Sequence, residues 1–189
     1  PLLPEHDDRF LSDMAHRQRY TGAYRQKFTQ SRRTDLAASD LRREVINIMQ
    51  TINEIQDEII EEFSELDDWM DRYQLLIDLG GEQEALPDSD KTDQNLIDGC
   101  QSRVWLVCDR DDAGLLHFRA ESDALIAKGI VSLLVRVLDG HTADEILAAD
   151  LYFIPRIGLQ EHLSPTRSNG LLAMVKQMRL YALAYKAKS

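Results

Sequence analysis

Arg103-Val-Trp-Leu-Val-Cys-Asp109, Asp111-Asp-Ala-Gly114 and Leu115-Leu-His-Phe-Arg-Ala120 are the runs that decide the fold. Val104, Trp105, Leu106 and Val107 are strong β-formers. The Asp-Asp-Ala-Gly run supplies turn chemistry, and the third run returns as the second arm of a hairpin. Upstream, Asn95-Leu-Ile97 reads as a further short strand, which makes a small antiparallel three-stranded sheet in the middle of the chain.

Everything outward of the hairpin is helical in pattern. After it, Ser122 or Asp123 stands where a cap belongs, and Leu125, Ile126, Ile130, Val131, Leu133, Leu134, Val137 and Leu138 cover nearly every face of a helix that ends at Gly140. That is the signature of a central buried helix. Before the hairpin, Leu41, Val45, Ile48, Ile52, Ile55, Ile59, Phe63 and Leu66 recur at three- and four-residue steps, which predicts one long amphipathic helix. The acids Glu54, Asp57, Glu58, Glu61 and Glu62 fall largely off that stripe, as a solvated face. A second helix over 67–79 carries Trp69, Tyr73, Leu76 and Ile77 and stops at Gly80-Gly81. Thr142-Ala-Asp-Glu145 is a capping box before a short helix. Ser164-Pro165 places a cap and an N1 proline before a last helix ending near Tyr185. The fold class is therefore α+β.

The chain has 189 residues, enough for one domain with an appendage, and 43% of them are apolar. Its 22 Lys+Arg against 33 Asp+Glu give a formal charge of −11, which repels phosphate backbones and anionic lipid. Neither nucleic acid nor a membrane surface is the expected partner, whereas a basic protein surface is. Nine basic and seven acidic residues precede Met49, so the remainder holds 13 against 26 and is strongly acidic. Residues 1–40 are expected to be an extension of weakly basic character, in which Tyr20, Tyr24 and Phe28 share one helical face, and 41–189 the folded domain. Met49 reads as a candidate natural start. The apolar run 129–138, interrupted by Arg136, is too short for a spanning helix of about 20 residues. With no apolar leader in residues 1–20 and two cysteines in all, a reducing cytoplasm is expected.

Five histidines, His6, His16, His117, His141 and His162, lack metal-ligand spacing. No phosphate loop, paired Cys-x-x-Cys or nucleophile elbow is present. The two cysteines carry the chemistry. Cys108 lies inside a strand, where a free thiol behaves as a small hydrophobe. Cys100 follows Gly99, precedes Gln101-Ser102 and sits in the loop entering the first long strand; a glycine just before a thiol lets the backbone turn sharply and another molecule approach.

Gly99-Cys-Gln-Ser-Arg-Val-Trp105, followed by Ser122-Asp-Ala124, Lys128-Gly129 and Leu163-Ser-Pro-Thr-Arg-Ser-Asn-Gly170, resembles the SufE family of sulfur-acceptor proteins, which includes CsdE, over about 52–185. The resemblance implies helices on a small antiparallel sheet, similar to the U-type iron–sulfur scaffolds, with the acceptor cysteine at a loop tip. It further implies that Cys100 takes persulfide sulfur from a pyridoxal-phosphate (PLP) cysteine desulfurase of the SufS/CsdA type, stimulates that enzyme, and hands the sulfur to a SufBCD-type scaffold. The chain would act as an accessory sulfurtransferase and bind no cofactor itself, PLP residing on the desulfurase, and the resemblance leaves a homodimer open. Supporting residues implied at the site are Gly99, Gln101, Ser102, Trp105, Asp123 and Arg167. Arg167 would orient the thiolate or else pair with Asp123, and Trp105 and Val104 would shelter the sulfur. Pro155 departs from the helix-compatible residue expected in Phe153-Ile-Pro-Arg-Ile157.

Two other readings stay open at this point. A CsdE-like protein would feed a different acceptor, and a pure binding module would carry Cys100 as an incidental thiol. A cysteine hydrolase lacks a histidine in any helpful motif to serve as its base.

Overall fold

The structure is a computed structural model that describes residues 50–188. The expected extension, the boundary at 40/41 and the first part of the long amphipathic stripe lie outside the described residues. Within them, helix α1 spans Ile52–Ser64 and begins at its own cap rather than continuing an upstream helix. The Thr51 side chain accepts from the Glu54 N–H at 3.3 Å, and the Glu54 carboxylate accepts from the Thr51 N–H at 2.8 Å, which closes a capping box. The expectation of one unbroken helix across this point is therefore corrected: the apolar period runs through Thr51, but the backbone does not.

Helix α2 (Trp69–Glu82) starts at Asp68, whose carboxylate accepts from the Met70 N–H at 3.0 Å. It runs through Gly80-Gly81 instead of stopping there. The reason is packing: α2 crosses helix α3 (Leu125–Leu138), and a Cβ built on Gly129 would lie 2.1 Å from the Leu76 carbonyl oxygen, one on Gly80 2.9 Å from the Gly129 nitrogen. These glycines let two helix backbones touch. Tyr73 and Leu76 are buried as expected, while Trp69 and Ile77 are only partly covered.

Strands β1 (Val104–Arg110) and β2 (Leu115–Ser122) pair antiparallel from Val104↔Ser122 to Arg110↔Leu116. The turn is fixed by Asp111, whose carboxylate accepts from the Leu115 N–H at 2.8 Å. The third strand is not where the sequence places it. β3 is the pair His141–Thr142, which joins β2 at its far edge, whereas Asn95-Leu-Ile97 makes an isolated bridge, Leu96↔Trp105, on the outer side of β1. Val104, Leu106 and Cys108 share one face of the sheet with Leu116, Phe118 and Ala120, all buried, and α3 packs against β2. The opposite face carries Trp105, Val107, Asp109, His117, Arg119 and Glu121.

Capping then organises the return. Thr142 closes the expected capping box with Glu145 ahead of α4 (Ala143–Ala148). Single turns α5 (Phe153–Arg156) and α6 (Leu159–His162) follow; α5 tolerates Pro155 because a first-turn residue has no intrahelical N–H bond to lose. The last helix, α7 (Pro165–Lys188), runs three residues beyond the expected end. Its Tyr181 and Tyr185 hydroxyls donate to the Leu106 and Cys108 carbonyls at 3.1 and 2.9 Å, so the free edge of β1 is covered rather than left open to pairing. Gln56, fully buried, ties α1 to the α4–α5 connection through the Asp150 carbonyl and the Phe153 N–H. Glu62, expected on the solvated face, instead grips Arg136 of α3 with both oxygens at 2.8 Å.

The helix crossing makes a stability prediction. Gly129→Ala forces backbone against backbone and costs about 3 kcal/mol or more. Gly81→Ala, whose Cβ meets nothing within 4 Å, gains about 0.5–1 kcal/mol from helix propensity. Urea unfolding of the two variants should move the midpoint in opposite directions.

Candidate functional site

Hydrogen bonds across its base create the cysteine loop. The Ile97 N–H donates to the Val104 carbonyl at 2.8 Å and the Leu106 N–H to the Asn95 carbonyl at 2.9 Å, so residues 98–103 project as a short closed loop from the outer edge of β1. Gly99 turns that loop with φ +90°, a left-handed conformation that favours glycine. The next residue, Cys100, is half-buried. Its Sγ lies 3.7 Å from the carbonyl oxygen of Gly170, in the second turn of α7, and a Cβ on Gly170 would come within 3.6 Å of the sulfur. A Cβ built on Gly99 would lie 3.6 Å from the Ala173 side chain of the same helix. Gln101 is exposed and Ser102 half-buried, and neither side chain bonds to a described residue.

The exit of the loop is held at one residue. The Arg103 N–H donates to the Asp123 carboxylate at 2.9 Å, and its carbonyl accepts from the Ser122 hydroxyl at 2.9 Å and the Asp123 N–H at 3.2 Å. Ser122 and Asp123 thus do not cap α3, which begins after Ala124 with no side-chain cap. Ser122 sits opposite Val104 in the ladder, and this register turns both polar side chains back onto Arg103. The Arg103 guanidinium lies over the Trp105 ring, 4.8 Å from its centroid, on the outer sheet face. Trp105 is buried, and its Nε1 has no hydrogen-bond partner among the described residues.

Arg167 occupies the first turn of α7, where its N–H reaches the Ser164 hydroxyl at 3.4 Å. The guanidinium Nη1 is buried without a hydrogen-bond partner among the described residues, and its charge is felt by Tyr73 of α2. Asp123 is engaged by Arg103, and no ion pair joins it to Arg167 among the described residues.

Burial pushes the Cys100 thiol up to about 11. At pH 7, four units lower, roughly one molecule in ten thousand carries the thiolate that nucleophilic exchange requires. The resting sulfur is therefore held almost wholly as the protonated thiol, a poor nucleophile at neutral pH. Cys108 is pushed to about 12 by burial, then by the charges of Asp109 and Asp139, as befits a structural thiol. No group of histidine, cysteine and acid side chains that could hold a metal occurs among the described residues, nor does any helix long and apolar enough to cross a membrane. His117 is occupied by Asp111 and Asp139, and His162 stacks on Trp69 at 3.6 Å.

Sequence reasoning missed Gly170 as the wall behind the sulfur. The available signal was a glycine within a helix, which costs about 1 kcal/mol against alanine and so calls for a packing reason.

Residues 57–182 match the SufE family, described as an Fe-S metabolism associated domain. Among curated proteins, an uncharacterized SufE-like protein of Rhizobium meliloti (strain 1021) is 41% identical over 128 residues, covering 65% of this chain and 91% of the relative. A second, from Rhizobium etli, is 42% identical over 127 residues, covering 65% and 86%. Among solved structures, the solution structure of a hypothetical protein from Thermus thermophilus superposes with a TM-score of 0.59 at 20% identity, over 70% of this chain and 96% of that one, a likeness of fold.

The loop geometry sets how the thiol should react. On a Cys108→Ala background, alkylation of Cys100 by iodoacetamide should rise about ten-fold per pH unit from 7 to 10, with no plateau near the ordinary cysteine value of about 8.5. Asp123→Ala, which frees the Arg103 N–H and loosens the loop exit, should speed alkylation at pH 7 by about ten-fold, read by mass spectrometry; an unchanged rate would separate the clamp from the thiol's shelter.

Proposed function

The chain belongs to the SufE family, and from that premise we propose that Cys100 accepts sulfur from a PLP cysteine desulfurase of the SufS/CsdA type and delivers it to a SufBCD-type iron–sulfur scaffold. The observation that carries the reading is the placement of Cys100: behind a left-handed glycine, at the tip of a loop closed at its base, with its sulfur lodged against a helix by one weak S–H···O contact.

In the proposed step the Cys100 thiolate attacks the outer sulfur of the desulfurase persulfide. A new sulfur–sulfur bond forms at Cys100, the old one breaks, and the desulfurase cysteine departs as a thiolate. The sulfur changes carrier without net oxidation or reduction, and the Cys100 proton goes to the departing thiolate or to solvent. Acceptance clears the enzyme's cysteine, which is how the acceptor stimulates turnover. PLP serves the desulfurase alone.

Arg167 is the supporting group in this reading. Its Nη1 is buried without a hydrogen-bond partner among the described residues, and it stands in the first turn of α7, three residues before the glycine that backs the sulfur. A guanidinium there, together with the positive end of the helix, favours an anionic sulfur species once the loop rearranges. Arg167→Ala should lower the rate of sulfur acceptance while leaving the pH profile of the resting thiol in place.

Intact-mass analysis after incubation with a cysteine desulfurase, PLP and L-cysteine tests the proposal. One added sulfur, about 32 Da, is expected on Cys100, retained in Cys108→Ala and absent in Cys100→Ser. Sulfur carried on Cys108, or none on either cysteine, would overturn it.

A further inference from the structure

Arg103 stands apart from the basic side chains around it. Arg119, on the same outer sheet face, is taken by Asp90 and Asp109 at 3.2 and 2.9 Å. Lys128 is taken by Glu121 at 2.7 Å, and Arg136 by Glu58 and Glu62. The Arg103 guanidinium is exposed and has no carboxylate within 4.0 Å among the described residues; what holds it is the Trp105 ring beneath it. Its backbone, meanwhile, is the most firmly anchored point of the cysteine loop.

The fold itself has little use for this arrangement. An exposed cation–π contact contributes little to stability, and the Trp105 N–H, without a partner among the described residues, offsets such a gain. Stacking does, however, fix the plane of the guanidinium and so lowers the entropy cost of binding a planar, two-oxygen anion. It does so three residues from Cys100, on a protein whose net charge of −11 otherwise repels acidic surfaces.

From this we infer that Arg103 is a specificity residue, its guanidinium, stacked on Trp105 and left without a carboxylate partner among the described residues, docking a carboxylate on the desulfurase surface beside the persulfide-bearing cysteine. The inference rests on the proposed function of Cys100. Leu125, two residues beyond the Asp123 clamp and 51% exposed, extends the same neighbourhood with apolar surface. A single charge at the rim of an encounter acts mainly on association and its salt dependence, whereas the sulfur step depends on Cys100.

The test is desulfurase stimulation measured against acceptor concentration at two ionic strengths. Arg103→Gln should raise KM for the acceptor about ten-fold and flatten its salt dependence, with kcat at saturation and Cys100 alkylation unchanged; Arg103→Glu should raise KM further. Folding is not at risk, because the Ser122 and Asp123 bonds go to the Arg103 backbone. Arg119→Gln removes the same unit of charge from the same face and should leave KM unchanged. Wild-type KM in Arg103→Gln, an equal rise in Arg119→Gln, or a loss confined to kcat would each overturn the inference. So would slowed delivery to a scaffold with normal KM for the desulfurase, which would assign the carboxylate to the downstream acceptor. If the wild type itself gains no sulfur on Cys100, the proposed function fails and takes this inference with it.

Discussion

The backbone of Arg103 is the hinge on which the site is built. Its N–H and its carbonyl are both held by Ser122 and Asp123, so a residue that would otherwise be the loose end of a loop becomes as fixed as the sheet. The downstream chain enters β1 in register, Val104 facing Ser122. Upstream, whatever freedom exists is confined to the few residues between that clamp and the Ile97–Val104 bond. A loop this short has little closure entropy to regain, so releasing the sulfur from Gly170 means breaking one weak contact and re-turning Gly99, with no strand or helix disturbed.

That confinement bears on how a thiol can be both kept and used. Half-burial against α7 holds the sulfur protonated, with a value near 11, and so withholds it from adventitious electrophiles. The same burial makes it a poor nucleophile, and the acidic body of the protein does nothing to help an anion form. In the proposed transfer, activation comes from the change of surroundings on docking: leaving the Gly170 carbonyl removes the desolvation that set the value. The first turn of α7, where Arg167 stands, is the end of that helix with positive potential.

The hairpin was legible in the sequence because its arms are β-formers and Asp111 supplies the turn bond that its position suggests. The loop that carries Cys100 was legible through Gly99, whose positive φ turns it. The failures have physical reasons. Thr51-x-x-Glu54 and Thr142-x-x-Glu145 are the same capping signal, but at Thr51 the apolar period continues unbroken on both sides and masks it. Gly80-Gly81 reads as a stop because glycine ends helices, and only the contact of Gly80 with Gly129 shows that the helix runs on and that Gly80 serves close packing instead. A two-residue strand such as His141–Thr142 is too short to carry a period, while Asn95-Leu-Ile97 has strand character but reaches the sheet only as a bridge. Ser122 and Asp123 stand at a cap position in sequence; the ladder register decides that they bond backwards, and register is not a local property.

Arg103 also divides the site into two sides. Ahead of it, the sulfur rests against Gly170 of α7. Its own side chain goes the other way, onto Trp105 and the outer face of the sheet. One pinned residue thus separates the group that would hold the cargo from the group that would read the partner. Changes in either can accumulate without moving the other, because the bonds between them run through backbone and not through side chains. In the proposed transfer such a separation lets the residue at position 103 set which surface is met while the thiol's shelter is left as it is.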